Sequence, residues 1–190
     1  MLEIELKFPV ADFGPIVKHL ARMGAAVQPT IDEADHYFNA PDRDFGKTDE
    51  AFRLRSIGEH NRMTYKGPKQ PGPAKTRTEI EIAIESGSDA AEKWRQMVVY
   101  LGYRATAVVK KRRTIYKFER DGFHLEACLD DVETLGKFVE IEIVADEAQK
   151  QRAQEILLQI AQELGLPKNE PRSYLEMVLT RGAGGSPPQK

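Results

Sequence analysis

The sequence predicts an α+β fold: a sheet of amphipathic strands with helices packed on its apolar face. Three observations carry that expectation. Several strand-length segments alternate apolar and charged residues with period two. Three longer segments carry apolar residues at helical spacing. Strand after strand sets charges two apart on one face: Glu3/Glu5/Lys7, Arg53/Arg55, Arg77/Glu79/Glu81, Lys111/Arg113 and Glu140/Glu142.

The first segment puts Leu2, Ile4, Leu6 and Phe8 on one face of a strand. A helix follows, with Asp12 as its expected N-cap, a stripe of Phe13, Ile16, Val17, Leu20 and Met23, and Gly24 at its end. His36–Asn39, Ala51–Ile57 and Arg62–Lys66 read as short strands, the last two joined by a turn as a hairpin. Residues 67–75 are rich in Pro and Gly and read as a mobile loop, either a plain connection or a lid over a site. Thr78, Ile80, Ile82 and Ile84 then share one face of a strand. Ser88 is the expected cap of a second helix carrying Ala91, Trp94, Met97, Val98 and Leu101, with Gly102 as its stop. Three more strands are expected near 104–118, 122–130 and 137–145. Asp146 is the expected cap of a third helix with Ile156, Leu157, Ile160 and Leu164. Ser173 and Glu176 have capping-box spacing before a short last helix.

The 190 residues are 41% hydrophobic and 31% charged, yet 28 Lys+Arg against 30 Asp+Glu leave a net charge of −2. No basic excess of the nucleic-acid-binding kind exists. No apolar run approaches a membrane span, and no signal peptide is legible near the N-terminus. The single cysteine excludes an internal disulfide, so a cytoplasmic, reducing setting is expected. Residues 182–190 lack large apolar side chains and are expected to form a disordered tail after a single domain at 1–181.

Read singly, each charged strand face fits an ordinary half-buried sheet whose polar side meets water. Read together, the faces also fit a barrel turned inside out, with apolar residues outward under helices and charges lining the bore. Such a bore must be wet, because each dry buried ion costs several kcal/mol. Its mixed signs suit a charged ligand. Arg and Lys recognise phosphate oxygens, and carboxylates suit hard cations such as Mg²⁺ or Mn²⁺. A polyphosphate held with its metal satisfies both. No Walker-type or dinucleotide glycine loop is present, so side chains would hold the phosphate.

The other chemistry-bearing residues read as ordinary. His36 and His124 take polar roles, Cys128 is a small strand residue, and Trp94 packs in a helix stripe. Tyr65 and Tyr116 point to the helix layer.

An ordered set of motifs spans about residues 2 to 180. It runs Glu3-Ile-Glu-Leu-Lys7, Asp35-His-Tyr-Phe38, Arg53-Leu-Arg55, Lys66-Gly-Pro68 and Arg77-Thr-Glu-Ile-Glu81. It continues with Lys111-Arg-Arg113 before Tyr116, Leu129-Asp130, Leu135-Gly-Lys-Phe138 and Glu140-Ile-Glu142. This set resembles the CYTH superfamily, the triphosphate tunnel metalloenzymes. The resemblance implies a closed eight-stranded antiparallel β-barrel forming a triphosphate tunnel, with helices packed outside. It implies Mg²⁺ or Mn²⁺ as cofactor and a small-molecule triphosphate as partner, with no nucleic acid and no membrane; a homodimer stays open. By position, Glu3, Glu5, Glu140 and Glu142 would hold metal, with Asp130 beside them. Lys7, Arg53, Arg55, Lys66, Lys111 and Arg113 would hold phosphates, joined by Arg77, with Glu79 and Glu81 in support. Lys110/Arg112 is the alternative register to Lys111/Arg113. Lys66, Tyr37 and Asp130 are the catalytic candidates. The likeness is greatest to the class IV adenylyl cyclase branch, which converts ATP to cyclic AMP and pyrophosphate. Thiamine or inorganic triphosphatase is the alternative reaction, for which Tyr37 and Lys66 match a water-activating pair. A non-catalytic polyphosphate- or nucleotide-binding protein is the alternative of another class.

Overall fold

The computed structural model describes residues 2–166 and 168–183. Its strands are β1 (Leu2–Pro9), β2 (Ala26–Val27), β3 (Ile31–Asn39), β4 (Ala51–Ile57), β5 (His60–Lys66), β6 (Lys75–Ile84), β7 (Arg104–Arg120), β8 (Phe123–Val132) and β9 (Gly136–Ala145). Its helices are α1 (Gly14–Arg22), α2 (Phe45–Thr48), α3 (Ser88–Tyr100), α4 (Lys150–Glu163) and α5 (Tyr174–Ala183). The sheet runs β7-β3-β4-β5-β6-β1-β9-β8 and closes by pairing β8 back onto β7, with β2 as an extra strand on β7. All of these pairings are antiparallel. The expected eight-stranded barrel is therefore present. Closure is possible because β7 is 17 residues long. Its first half pairs with β3 and its second half with β8.

The barrel is inside out. Leu2, Ile4, Leu6 and Phe8 of β1 join Val139, Ile141 and Ile143 of β9 in a core completed by Ile16 and Leu20 of α1 and Ile156, Leu157 and Ile160 of α4. Each such side chain, fully buried, contributes about 1.5–3 kcal/mol. A second cluster sets Trp94 and Val98 of α3 against Phe38 and Leu54. A third joins Tyr174 and Met177 of α5 to Tyr37, Val109, Val132 and Phe138. No helix among the described residues is long and apolar enough to cross a membrane.

Several expectations need correction. β3 begins at Ile31 rather than His36, because its inward residues Glu33 and Asp35 are buried acids that hide the apolar alternation. Ile80 and Ile82 remain 53% and 51% exposed, since the helices cover other strands. Met97 of α3 and Leu101 at its C-cap are likewise exposed, leaving Ala91, Trp94 and Val98 as the buried stripe. The N-cap positions are Phe13, Gly87 and Gln149, not Asp12, Ser88 and Asp146. Asp146 instead accepts from Gln149 N–H one turn early, at 2.9 Å. The capping box is formed: Ser173 N–H donates to Glu176 at 2.6 Å, and Glu176 N–H to Ser173 Oγ at 3.1 Å. Lys75 is the first residue of β6, not the end of a loop. Of the expected tail, residues 182 and 183 belong to α5, and 184–190 lie outside the described residues.

Candidate active site in the barrel bore

Period-two geometry places the charged alternates of the strands inside the barrel. There they line a cavity of about 570 Å³. Glu3, Glu5, Lys7, Tyr37, Arg53, Arg55, Lys66, Arg77, Glu79, Glu81, Lys111, Arg113, Glu140 and Glu142 all face it. Lys110 and Arg112 point out to solvent, so the bore holds the Lys111/Arg113 register. Direct cross-strand register brings Glu5 beside Glu142 and Lys7 beside Glu140, making one acidic wall of β1 and β9. Arg53 and Arg55 on β4, with Lys111 and Arg113 on β7, supply the facing cations. Tyr174 also lines the cavity, and the centroid of its buried ring lies 4.1 Å from Lys7 Nζ.

Asp35, which had no assigned role, organises the cationic side. Arg55 donates to it through Nε and a terminal nitrogen at 2.7 and 2.9 Å. Arg53 donates at 3.1 Å and Lys111 at 3.3 Å. Glu33 adds ion pairs to Lys111 at 2.7 Å and Arg55 at 3.3 Å. Burial alone would raise the Asp35 carboxyl, but Arg53, Arg55 and Lys111 hold it well below the usual range. The Arg53 guanidinium also donates to Tyr37 Oη at 3.2 Å. Two buried donors of the bore, Arg53 Nε and Arg77 Nε, have no hydrogen-bond partner among the described residues.

Asp130 does not line the cavity. It sits fully buried behind Arg113, accepting two bonds from it at 2.6 and 2.5 Å and one from Tyr174 Oη at 2.8 Å. Arg113 reaches on to Glu140. Lys7 pairs with Glu140 at 3.1 Å and Glu5 at 3.4 Å, and donates to the Arg172 carbonyl at 3.1 Å.

Of the remaining carboxylates, Glu3, Glu5 and Glu79 meet lysines, Glu81 meets an arginine, and Glu142 meets no cation among the described residues. Lys66 donates to both Glu3 oxygens at 2.9 and 2.6 Å and pairs with Glu79 at 2.9 Å. Burial would lower the Lys66 ammonium, but Glu3 and Glu79 raise it above its ordinary value, so it stays cationic. Tyr37 and Lys66 share no hydrogen bond among the described residues. Glu81 turns to Arg62 at 2.6 Å. Lys75 reaches both oxygens of Glu5 at 3.1 Å. Glu142 has no ion pair among the described residues. Burial, then the neighbouring Glu3, push its carboxyl up to about 8, against the pull of Arg113. A carboxylate oxygen of Glu142, one of Glu126 and the Sγ of Cys128 lie within 4.8 Å of one another. Burial pushes the Cys128 thiol well above its usual value, which keeps it protonated and un-nucleophilic. A wall of carboxylate oxygens with one member lacking a counter-charge fits a hard divalent cation.

Glu33, Asp35, Lys75, Glu126 and Tyr174 were missed as site residues. Strand parity held the signal for four of them: 33 and 35 share a face with Tyr37, 75 with Arg77, and 126 with Asp130. Tyr174 carries no such signal, since α5 meets the bore only in the folded chain. His36 lies outside the bore beside Arg95, and His124 is exposed beside Glu119.

The CYTH domain model matches residues 1–174. A Methanocaldococcus jannaschii protein named "Putative adenylate cyclase MJ0240" is 38% identical over 180 residues, covering 93% of this chain and 98% of that protein. The solved structure of the PH1819 protein from Pyrococcus horikoshii superposes with a TM-score of 0.82 at 37% identity, covering 94% of this chain and 99% of its own. A Hippeastrum protein named "Putative adenylyl cyclase HpAC1", said to reveal a dominant triphosphatase activity, superposes with a TM-score of 0.66 over 96% of this chain and 95% of its own. At 17% identity that last likeness is one of fold alone.

Proposed function

The chain belongs to the CYTH domain family, and from that premise we propose that it is a divalent-metal-dependent enzyme acting on a triphosphate in its bore. The observation that carries the reading is the pair of buried guanidinium donors without hydrogen-bond partners among the described residues, Arg53 Nε and Arg77 Nε, on residues that line the same cavity as the β1 and β9 carboxylates. Buried donors without partners are costly, and phosphate oxygens are the acceptors that suit them. Arg53, Arg55, Arg77, Lys111 and Arg113 hold the phosphate chain, with Lys7 and Lys66 beside the carboxylates. Asp35 and Asp130 keep the arginines oriented and do not touch substrate. Glu3, Glu5, Glu140 and Glu142 hold Mg²⁺ or Mn²⁺, which when bound supplies Lewis-acid charge to phosphate oxygens. Tyr174, whose ring packs under Lys7 and near Lys111, holds those two cations in place toward the phosphates.

The reaction we favour is the cyclase-like one. The ribose 3′-oxygen of ATP attacks the α-phosphorus, and pyrophosphate leaves. The sequence relation to the Methanocaldococcus jannaschii protein supports this choice. So does the geometry of the residues that hydrolysis would use. Tyr37 accepts from Arg53, and Lys66 is clamped as a cation on Glu3 and Glu79, which suits neither for activating water.

The test is product identification. ATP, inorganic triphosphate and thiamine triphosphate are each incubated with the protein and Mg²⁺ or Mn²⁺ between pH 7 and 10. Cyclic AMP with pyrophosphate supports the favoured reaction. Orthophosphate release from any of the three moves the assignment to a triphosphatase. Binding without turnover of any substrate leaves a binding protein and overturns the enzyme reading.

A further inference from the structure

We propose that Lys75 is a placeholder cation: it occupies Glu5 when no metal is bound and transfers to a phosphate oxygen when a divalent cation takes that carboxylate. The inference rests on the reading that the bore accepts metal and triphosphate together. It adds a residue to the positioning machinery and a thermodynamic link between the two ligands.

Register fixes the starting point. β6 pairs with β1 so that Lys75 stands directly opposite Glu5, and its Nζ lies 3.1 Å from both carboxylate oxygens. The pairing is sheltered, with 12% of the Lys75 side chain exposed and 5% of that of Glu5. A divalent ion on Glu5 would place two positive charges against this ammonium at a site sheltered from bulk solvent. Attraction then becomes repulsion of similar strength, so both cannot share the carboxylate.

Lys75 is the lysine best able to leave. Lys7 also touches Glu5, but it is held by Glu140, by the Arg172 carbonyl and by the ring of Tyr174. Lys66 is held by Glu3 and Glu79 together. Among the described residues Lys75 has Glu5 as its single ion-pair partner. Its four-carbon stem is flexible, and its charge is a compact point that needs no fixed fork geometry. Once displaced it needs an anion, and the other anions of this wall already hold cations or stand as metal ligands. A phosphate chain in the cavity supplies one.

Metal and triphosphate therefore favour each other's binding. Metal frees Lys75 for phosphate, and phosphate draws Lys75 off the carboxylate that metal needs. Such coupling is reciprocal by linkage.

The experiment measures Mn²⁺ binding by the electron paramagnetic resonance of the free ion, without and with inorganic tripolyphosphate. Metal chelated by tripolyphosphate in solution is subtracted. The parent, Lys75→Met and Lys75→Arg are compared, each checked for an unchanged circular dichroism spectrum. In the parent, tripolyphosphate should tighten Mn²⁺ binding. In Lys75→Met, Mn²⁺ alone should bind on the order of 10-fold tighter, and the enhancement by tripolyphosphate should shrink by a similar factor. Lys75→Arg, which keeps the charge, should behave as the parent does. Equal or weaker Mn²⁺ binding by folded Lys75→Met overturns the proposal. If that variant does not fold, the parent decides: absence of coupling overturns it. A parent that binds neither Mn²⁺ nor tripolyphosphate defeats the reading of the bore itself. One that binds both without these effects defeats only the role of Lys75.

Discussion

Replacing Asp35 by Asn removes one negative charge from the centre of three cations. Asp35 is 1% exposed and accepts from Arg53, Arg55 and Lys111. Asn keeps the shape but supplies one weaker acceptor. Arg53, Arg55 and Lys111 are then left with Glu33, which reaches only Lys111 and Arg55. Removing one partner from a buried ion cluster costs about 3–5 kcal/mol. The ion pairs shared with Glu33 place the expected loss at the lower end, about 3 kcal/mol. Urea unfolding at pH 7 measures it. The pH dependence has a definite sign. Asp35 is held well below its ordinary value in the folded state, so its contribution is complete above the unfolded carboxyl value. It is lost as pH falls toward the folded one. The stability gap between parent and variant should be constant from pH 6 to 8 and narrow as pH drops toward 3. Tripolyphosphate should restore more stability to the variant than to the parent, because its oxygens replace the missing acceptor. A loss under about 1 kcal/mol, where a buried pair predicts several, or a gap that stays flat into acid, would refute the reasoning.

Three further outcomes follow from the same geometry. Glu142→Gln should abolish stabilisation by Mn²⁺, whereas the parent at ~100 times its Kd gains about 2.7 kcal/mol, read by thermal unfolding with and without the ion. Tyr174→Phe keeps the ring under Lys7 but withdraws the hydroxyl from Asp130. It should cost about 1–3 kcal/mol in urea unfolding. Leu157→Ala, in the helix layer away from the bore, should cost about 2–5 kcal/mol. Its tripolyphosphate affinity, measured calorimetrically, should match the parent's.

Strand parity made much of the barrel legible. On β1, β6 and β9 one face is apolar and the other charged, so the alternation alone sends Glu3, Glu5, Glu79, Glu140 and Glu142 inward. Where both faces are polar the signal fails. Ile31-Asp-Glu-Ala-Asp35 shows no apolar alternation, yet Glu33 and Asp35 are buried because cations from β4 and β7 meet them. The same blindness hid Lys75 behind a Pro- and Gly-rich stretch, although the residue opens β6. Helix starts were misplaced because Asp12, Ser88 and Asp146 are good caps by type. The chain enters α1 and α4 one and three residues later, through Phe13 and Gln149, and α3 one residue earlier, through Gly87. Tyr174 could not be placed at all, since its neighbours Lys7 and Asp130 are distant in sequence.

The pairing order of the barrel has a consequence for how the protein assembles. β1 precedes both of its neighbours: it pairs with β6 and β9, never with the next strand in the chain. Local hairpins such as β4–β5 and β8–β9 can form early, but β1 must wait for two long loops to close around it. The carboxylates of β1 and β9 are thus brought together by long-range pairing, which loop-closure entropy is expected to place after the local hairpins. A metal ion binding there can lock a finished barrel, yet it has no assembled seat from which to nucleate one. Refolding should run at the same rate with or without the ion, whose effect falls on unfolding instead.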